Sequence, residues 1–311
     1  MMRVSILGLS WAFAFVFIES VQFVYFGGLF QKMNSYLFGA GVFALSTFLF
    51  LGWSWITRPD QLRLALKRWP LVLKINVTAT LAWLAFLGSL QFIEPAVAYT
   101  IGSGVMPLTV LAMSYLGVNG GAPVKGILTL TGLTIVSVAL AILCAATIGG
   151  NTGFVAKVPN AAPIGVMLAI ADGVFFTLLL AYCGQLSGIG VGAGTVFALR
   201  FPLYVLVAGT LFALGFGREN DFASTGAVLF ILIGFALVVP PLYALQRAVD
   251  LVSTLTLSLM IATGPFIIFV LQMLEGRVAQ SGMTLAGLIL YFVGATLMAY
   301  GKFREPVRAQ A

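Results

Sequence analysis

The sequence predicts an all-α integral membrane protein of about ten transmembrane helices, arranged as two inverted five-helix repeats around a central cavity. Three observations carry this. Of the 311 residues, 61% are hydrophobic and only 8% charged, where a soluble domain has about 45–50% apolar and ~25% charged residues. The mean hydropathy is +1.09, so the chain cannot hide its apolar surface from water and needs a bilayer as solvent. The apolar residues also fall into runs of about 20, the length that crosses the hydrocarbon as a helix, and the two halves of the chain resemble each other.

The predicted spans are 4–26, 36–57, 70–92, 95–117, 126–148, 161–183, 192–215, 225–246, 252–274 and 283–301. Breakers separate them at Arg58-Pro59-Asp60, Asn119-Gly120-Gly121, Gly149-Gly150-Asn151 and Arg218-Glu219-Asn220-Asp221. Glu94-Pro95 and Asp250 interrupt the hydropathy at the starts of the fourth and ninth spans. The run after Arg3 is too long for a signal-peptide core and lacks a small-residue cleavage site, so it is expected to be a retained span. Between the second and third spans, residues 60–69 place Arg63 and Lys67 on one helical face. Leu62, Ala65, Leu66 and Trp69 fall on another, the pattern of a short amphipathic helix at the interface. Trp53, Trp55 and Trp69 read as an aromatic belt at the same end.

With both termini in the cytoplasm, eleven Lys and Arg residues lie on the cytoplasmic side and four on the other, with Arg200 inside a span. That excess sets the orientation and accounts for the net charge of +7 without a nucleic-acid partner. The chain has no histidine, which excludes a His-ligated haem or zinc site and a Ser–His pair. Cys144 and Cys183 give neither a disulfide framework nor metal spacing. No cofactor is expected.

The internal repeat is visible in four matches. Gly39-Ala40-Gly41-Val42-Phe43-Ala44-Leu45 returns from Gly192 to Leu199 at an offset of 153, with one inserted Thr195. Leu90-Gln91 returns as Leu245-Gln246, Pro107 as Pro265, and Thr129–Leu133 as Thr284–Leu288. The units are 1–150 and 151–311, built into one membrane domain. Five spans per unit is an odd number, so the second unit enters the membrane from the opposite side. Inverted repeats are a recurring plan of secondary transporters, with the substrate near the midplane.

Ionisable groups at membrane depth cost roughly 2.5–3.5 kcal/mol on insertion scales, so each needs a reason. Glu19 and Asp172 occupy matching spans at the repeat offset of 153. At ~1.5 Å per residue they lie ~10 and ~16 Å below the outer edge, within reach of one cavity. They suit a substrate ammonium or a coupled proton, or else a paired structural role. Arg200, whose repeat counterpart is Ser46, can snorkel to the headgroups, pair with Asp172 or hold a substrate carboxylate. Trp83 shares the depth layer of the acids, and Tyr99 lies near Thr100 and Ser103. An indole and a phenol there need partners for N–H and O–H and suit a cavity that takes a flat apolar side chain. Phe13, Phe15 and Phe17 are expected to face lipid or neighbouring helices. Pro107 and Pro265, beside glycines in the fourth and ninth spans, are the expected hinges.

Ten spans in two five-span repeats, a Pro in the fourth helix of each half and a basic loop after the second span resemble the drug/metabolite transporter superfamily of the EamA type. Over the whole chain the sequence looks most like the YddG-type aromatic amino-acid exporters of bacterial inner membranes. The resemblance implies a ten-helix basket with a central cavity and export of amino acids or related metabolites. Smaller four-span members of the superfamily carry an essential carboxylate in the first span, to which Glu19 corresponds here.

The expected function is export of aromatic and other neutral amino acids across a bacterial inner membrane by alternating access. The protein is expected to be a monomer and not an enzyme. In this scheme Asp172 or Glu19 meets the ammonium, Arg200 or polar backbone the carboxylate, and Trp83 and Tyr99 the side chain. A multidrug or cationic-metabolite exporter would use the same acids and aromatics. A phosphate translocator would need several deep basic groups, and an intramembrane enzyme clustered acids for a metal.

Overall fold

A computed structural model describes residues 6–30, 34–121, 126–151, 161–216, 224–275 and 281–304. Arg3, Lys32, Lys125, Lys157, Arg218, Arg277 and Arg308, and the Arg218–Asp221 breaker, lie outside them. The described residues form helices only, and ten stretches are long and apolar enough to cross a membrane.

In chain order, α1 (Ile6–Phe30) is followed by α2 (Ser35–Thr57), whose start is fixed by Asn34. The Asn34 side-chain oxygen accepts from the amides of Tyr36 and Leu37, both at 3.1 Å, so two donors that would otherwise be orphaned are satisfied. The amphipathic segment is α3 (Pro59–Lys67). It starts on a proline, carries Asp60 in its first turn and Lys67 in its last, and buries Leu62 and Ala65. Gln61 ties it to the second half of the chain, accepting from the Gly192 amide at 3.0 Å and from the Thr195 hydroxyl at 3.2 Å. Then come α4 (Trp69–Phe92), α5 (Pro95–Tyr115) and α6 (Ile127–Ile148). The second half holds α7 (Ala162–Gly188), α8 (Ala193–Ala198), α9 (Pro202–Ala213), α10 (Ser224–Val249), α11 (Thr254–Ile261), α12 (Gly264–Glu275) and α13 (Gly282–Arg304).

Two spans differ from their sequence outlines. The seventh is broken between α8 and α9 at Leu199–Phe201, and the ninth between α11 and α12 at Ala262–Thr263. Each break precedes a proline, Pro202 or Pro265, in the first turn of the following helix, where its missing N–H does no harm and its fixed φ suits helix. The fourth span, by contrast, runs unbroken through Pro107. Also, α7 runs five residues past the predicted end at 183, because helical hydrogen bonding continues through a stretch whose glycines and polar residues lower the hydropathy.

A backbone break inside a bilayer leaves polar groups that no water can satisfy. At the seventh span Asn76 of α4 supplies both partners. Its amide nitrogen donates to the Leu199 carbonyl at 2.7 Å, and its oxygen accepts from the Leu203 amide at 3.1 Å. One side chain thus brackets the gap.

The helices pack in a regular scheme. The strongest pairings are α6 on α13 and α4 on α7, followed by α5 on α7, α1 on α10, α2 on α9 and α1 on α12. The exposed large apolar side chains, among them Phe13, Phe17, Phe48, Trp55 and Val228, form an outer surface suited to lipid. Phe15, one residue pair from Phe13 and Phe17, is buried instead.

Two stability outcomes are expected. Asn76→Ala leaves the Leu199 carbonyl and the Leu203 amide unpartnered, at about 1–3 kcal/mol each. Its melting temperature in detergent should fall well below that of the wild type; an unchanged melt would contradict the bracket. Glu94, in the α4–α5 turn, is buried, and burial pushes its carboxyl above the ordinary value. A raised carboxyl favours the fold while protonated, and that advantage is lost as pH rises through its folded value. Glu94→Gln should therefore melt at a higher temperature than the wild type at pH 8, with the gap closing at pH 4.

Candidate functional site: an acidic, aromatic chamber

The inner faces of α1, α4, α5, α7 and α11, with α2 and α10 on the second side, surround a chamber of two adjoining lobes. One is about 50 Å³ and has Glu19, Trp83, Tyr99, Ser103 and Asp172 on its wall. The other is about 40 Å³ and shares Glu19, Trp83 and Phe86 with the first. Sites for drug-sized ligands run to about 300–1,000 Å³, so the chamber is narrow.

Asp172 reaches the wall because α5 and α7 touch backbone to backbone. A Cβ at Gly173 would lie 2.3 Å from the Gly102 carbonyl oxygen, and one at Gly102 would lie 2.9 Å from an Asp172 carboxylate oxygen. Glycine at both positions is what lets the helices come together. Glu19 of α1 accepts a hydrogen bond from the Tyr99 hydroxyl at 2.9 Å. The Tyr99 ring lies in turn against Gly264, the first residue of α12. The Ser103 hydroxyl is 3.2 Å from that of Tyr291.

Rings enclose the rest. Tyr99 meets Phe23 (4.7 Å between centroids), Phe23 meets Phe86 (5.4 Å), Phe86 meets Trp83 (5.6 Å), and Trp83 meets Phe43 (4.7 Å). Phe43 then stacks on Phe201 at 4.2 Å, inside the break of the seventh span. Edge-to-face contacts dominate, as the ring quadrupoles favour. The Trp83 indole N–H is buried and meets no acceptor among the described residues, although Trp83 borders both lobes.

Arg200 sits within the same break and is fully buried, so it does not reach the headgroups. Its guanidinium carbon lies 5.1 Å from the Phe201 ring centroid and 5.7 Å from that of Phe176, cation–π distances. None of its nitrogens meets an acceptor among the described residues. It makes no ion pair with Asp172; among the described residues the pair found is Arg63 with Asp60, both exposed. Phe176 borders the chamber and Arg200 does not, so the guanidinium stands behind that ring.

Of the residues singled out from sequence, Glu19, Asp172, Trp83, Tyr99 and Ser103 meet on one wall. Thr100 does not join them: it is fully buried and donates to the Ala96 carbonyl at 2.6 Å. One residue beyond Tyr99 is about 100° further round the helix, which turns Thr100 into the helix packing. Pro107 lies inside a continuous helix, whereas Pro265 follows a break. The residues not foreseen are Phe176, Phe86 and Met106 on the wall and Asn76 behind it. Asn76 was visible as a lone amide in an apolar span; Phe176 stands one turn from Asp172.

The fold and chamber define a multi-pass helical membrane protein with a buried acidic and aromatic pocket. No family model matches the chain, and no curated protein matches it. A solved structure described only as the crystal structure of a protein is similar, with a TM-score of 0.64 and 16% identity, covering 94% of this chain and 97% of that one. At that identity the likeness shows a shared fold.

Gly173→Ala should force α5 from α7 or push Asp172 off the wall, an overpacking of about 1–3 kcal/mol. A lower melting temperature together with loss of any ligand-induced stabilisation is the expected result; a native-like melt would mean the backbone contact is slack.

Proposed function

We propose that this protein is a secondary transporter that exports aromatic and other neutral amino acids across a bacterial inner membrane. The observation that carries the reading is the chamber itself: two carboxylates and a tryptophan whose indole N–H meets no described acceptor line one narrow, ring-lined pocket at membrane mid-depth. A zwitterion with a flat side chain complements each part. Asp172, held by no hydrogen bond to a described residue, meets the ammonium. Glu19, already engaged by Tyr99, adds negative charge. The Trp83 N–H donates to the carboxylate, and Phe23, Phe86 and Met106 flank the side chain.

The packing scheme supports the duplicated, inverted plan. Counting spans from one to ten, the third packs on the sixth and the first on the eighth; the fourth packs on the sixth and the first on the ninth. Exchanging the halves converts each of these pairs into the other. The fifth on the tenth and the second on the seventh convert into themselves. A two-fold relation between repeats produces this pattern, and such repeats can rock about a shared site. The narrow chamber fits a closed stage of that cycle. The exposed Arg58, Arg63, Lys67 and Trp69 around α3 support a cytoplasmic placement of that end. The likeness to the drug/metabolite transporter superfamily agrees with these features, and the fact that one chain encloses the chamber supports a monomer.

One observation favours a second reading, export of cationic drugs or metabolites. Among the described residues, no basic side chain lines the chamber.

Both readings are tested in proteoliposomes. Phenylalanine flux is expected, blocked by other zwitterionic amino acids, and lowered at least tenfold by Asp172→Asn and severalfold by Trp83→Phe, which keeps an aromatic ring but removes the N–H. Block by quaternary ammonium dyes alone would favour the second reading. Unchanged flux in both variants would exclude the assigned roles.

A further inference from the structure

The largest cavities described lie away from the chamber. One of about 350 Å³ and another of about 270 Å³ share Gly184 and Val249, so they form one groove. It runs along the C-terminal end of α7, beside the α10–α11 connection, at the end of the bundle that carries α3. It is wide enough for an amino-acid-sized solute, which the chamber is not. Among the described residues Asp250 is the charged side chain lining it, and the last carbonyls of α7 add the negative pole of a helix. That lining suits an ammonium group.

A single stripe of α7 joins groove and chamber. Asp172, Phe176, Leu180 and Gly184 follow at intervals of four residues on one helix face. Asp172 and Phe176 border the chamber, and Leu180 and Gly184 the groove. On α11 the same split recurs, with Ile261 on the chamber and Leu257 on the groove. Groove and chamber are therefore one helical turn apart, about 6 Å. Leu180, Leu257 and Ile261 are each no more than 2% exposed, and Phe176 is backed by Arg200. This is a dry apolar layer of the kind that closes a pore by excluding water. Of its two walls, α11 is only eight residues long and ends at the Ala262–Thr263 break, so it can shift without α12.

We propose that the groove is the solute's access vestibule, and that Phe176 and Leu180 of α7 with Leu257 and Ile261 of α11 form the gate between it and the chamber. The solute class is the amine-bearing one assigned to the chamber, and in that respect the proposal rests on the transporter reading.

The route is testable without transport. Gly184 is a point where a side chain can be added freely: a Cβ there meets nothing nearer than the Val249 side chain at 3.6 Å. In a background carrying C144A and C183A, Ser103→Cys places a thiol on the chamber wall, with Met106→Cys as a second probe if the first folds poorly. A membrane-impermeant methanethiosulfonate is added to oriented vesicles from the α3 end. The probe thiol should react, Gly184→Trp should slow the reaction at least tenfold by filling the groove, and Leu257→Ala should speed it severalfold by thinning the gate. A rate indifferent to Gly184→Trp, a rate not raised by Leu257→Ala, or probes that stay unreactive from that end even with Leu257→Ala would each overturn the route. Phenylalanine flux is measured on the same vesicles. Labelling that behaves as expected without flux would sink the transport reading alone, and flux with labelling blind to the groove would sink the vestibule alone.

Discussion

Every backbone N–H and C=O at membrane depth has to find its partner inside the protein, and the architecture follows from how that demand is met where helices stop. Eight of the ten spans meet it with unbroken helix. The seventh does not, and its gap is held by Asn76, which donates to one exposed carbonyl and accepts from one exposed amide. The gap in turn puts Phe201 against Phe43 and Arg200 between two rings. In the ninth span the turn at Ala262–Thr263 is stitched by the Thr263 hydroxyl, which donates to the Met260 carbonyl at 2.7 Å. Each break lies beside the chamber, where backbone can leave the helical path without facing lipid.

The chamber combines two opposing tendencies. Carboxylates resist burial, yet Glu19 and Asp172 are both placed at mid-depth, with Tyr99 bonded to one and no described partner on the other. The surrounding rings and the glycine contact between α5 and α7 favour closure. A pocket of this kind is stable when shut only if its acids stay solvated, protonated or met by a cation, which links occupancy of the chamber to its shape. The buried guanidinium of Arg200 sits one ring away, close enough to bias the local field and separated by the same Phe176 that faces the acids.

Hydropathy made the spans legible because lipid leaves helix as the practical solution for a run of about 20 apolar residues. The amphipathic α3 was legible for the same reason, with its charges on one face and Leu62 and Ala65 on the other. Depth along a span then selected Glu19, Asp172, Trp83, Tyr99 and Ser103, which meet on one wall. Depth says nothing of rotation, and Thr100, at the right height, faces the wrong way. Nor does it reveal helix breaks. Pro107 and Pro265 look equivalent in sequence; one is absorbed by a helix that goes on, and the other follows a turn. Pro202, after Arg200 and Phe201, carries the same signal, but the span's mean hydropathy stays high across it and does not mark the break.

The amino-acid sequence by itself determined that the chain lives in a bilayer, how often it can cross and which polar side chains are forced to mid-depth, because burial in hydrocarbon penalises charge and unpaired backbone wherever they occur. Which of those side chains share a chamber, that Asn76 bridges a gap 123 residues away, and that a groove ends one turn from Phe176 of the chamber wall were decided by tertiary packing. Those relations depend on helix rotation and on contacts between residues far apart in the chain, and hydropathy along a single span contains neither.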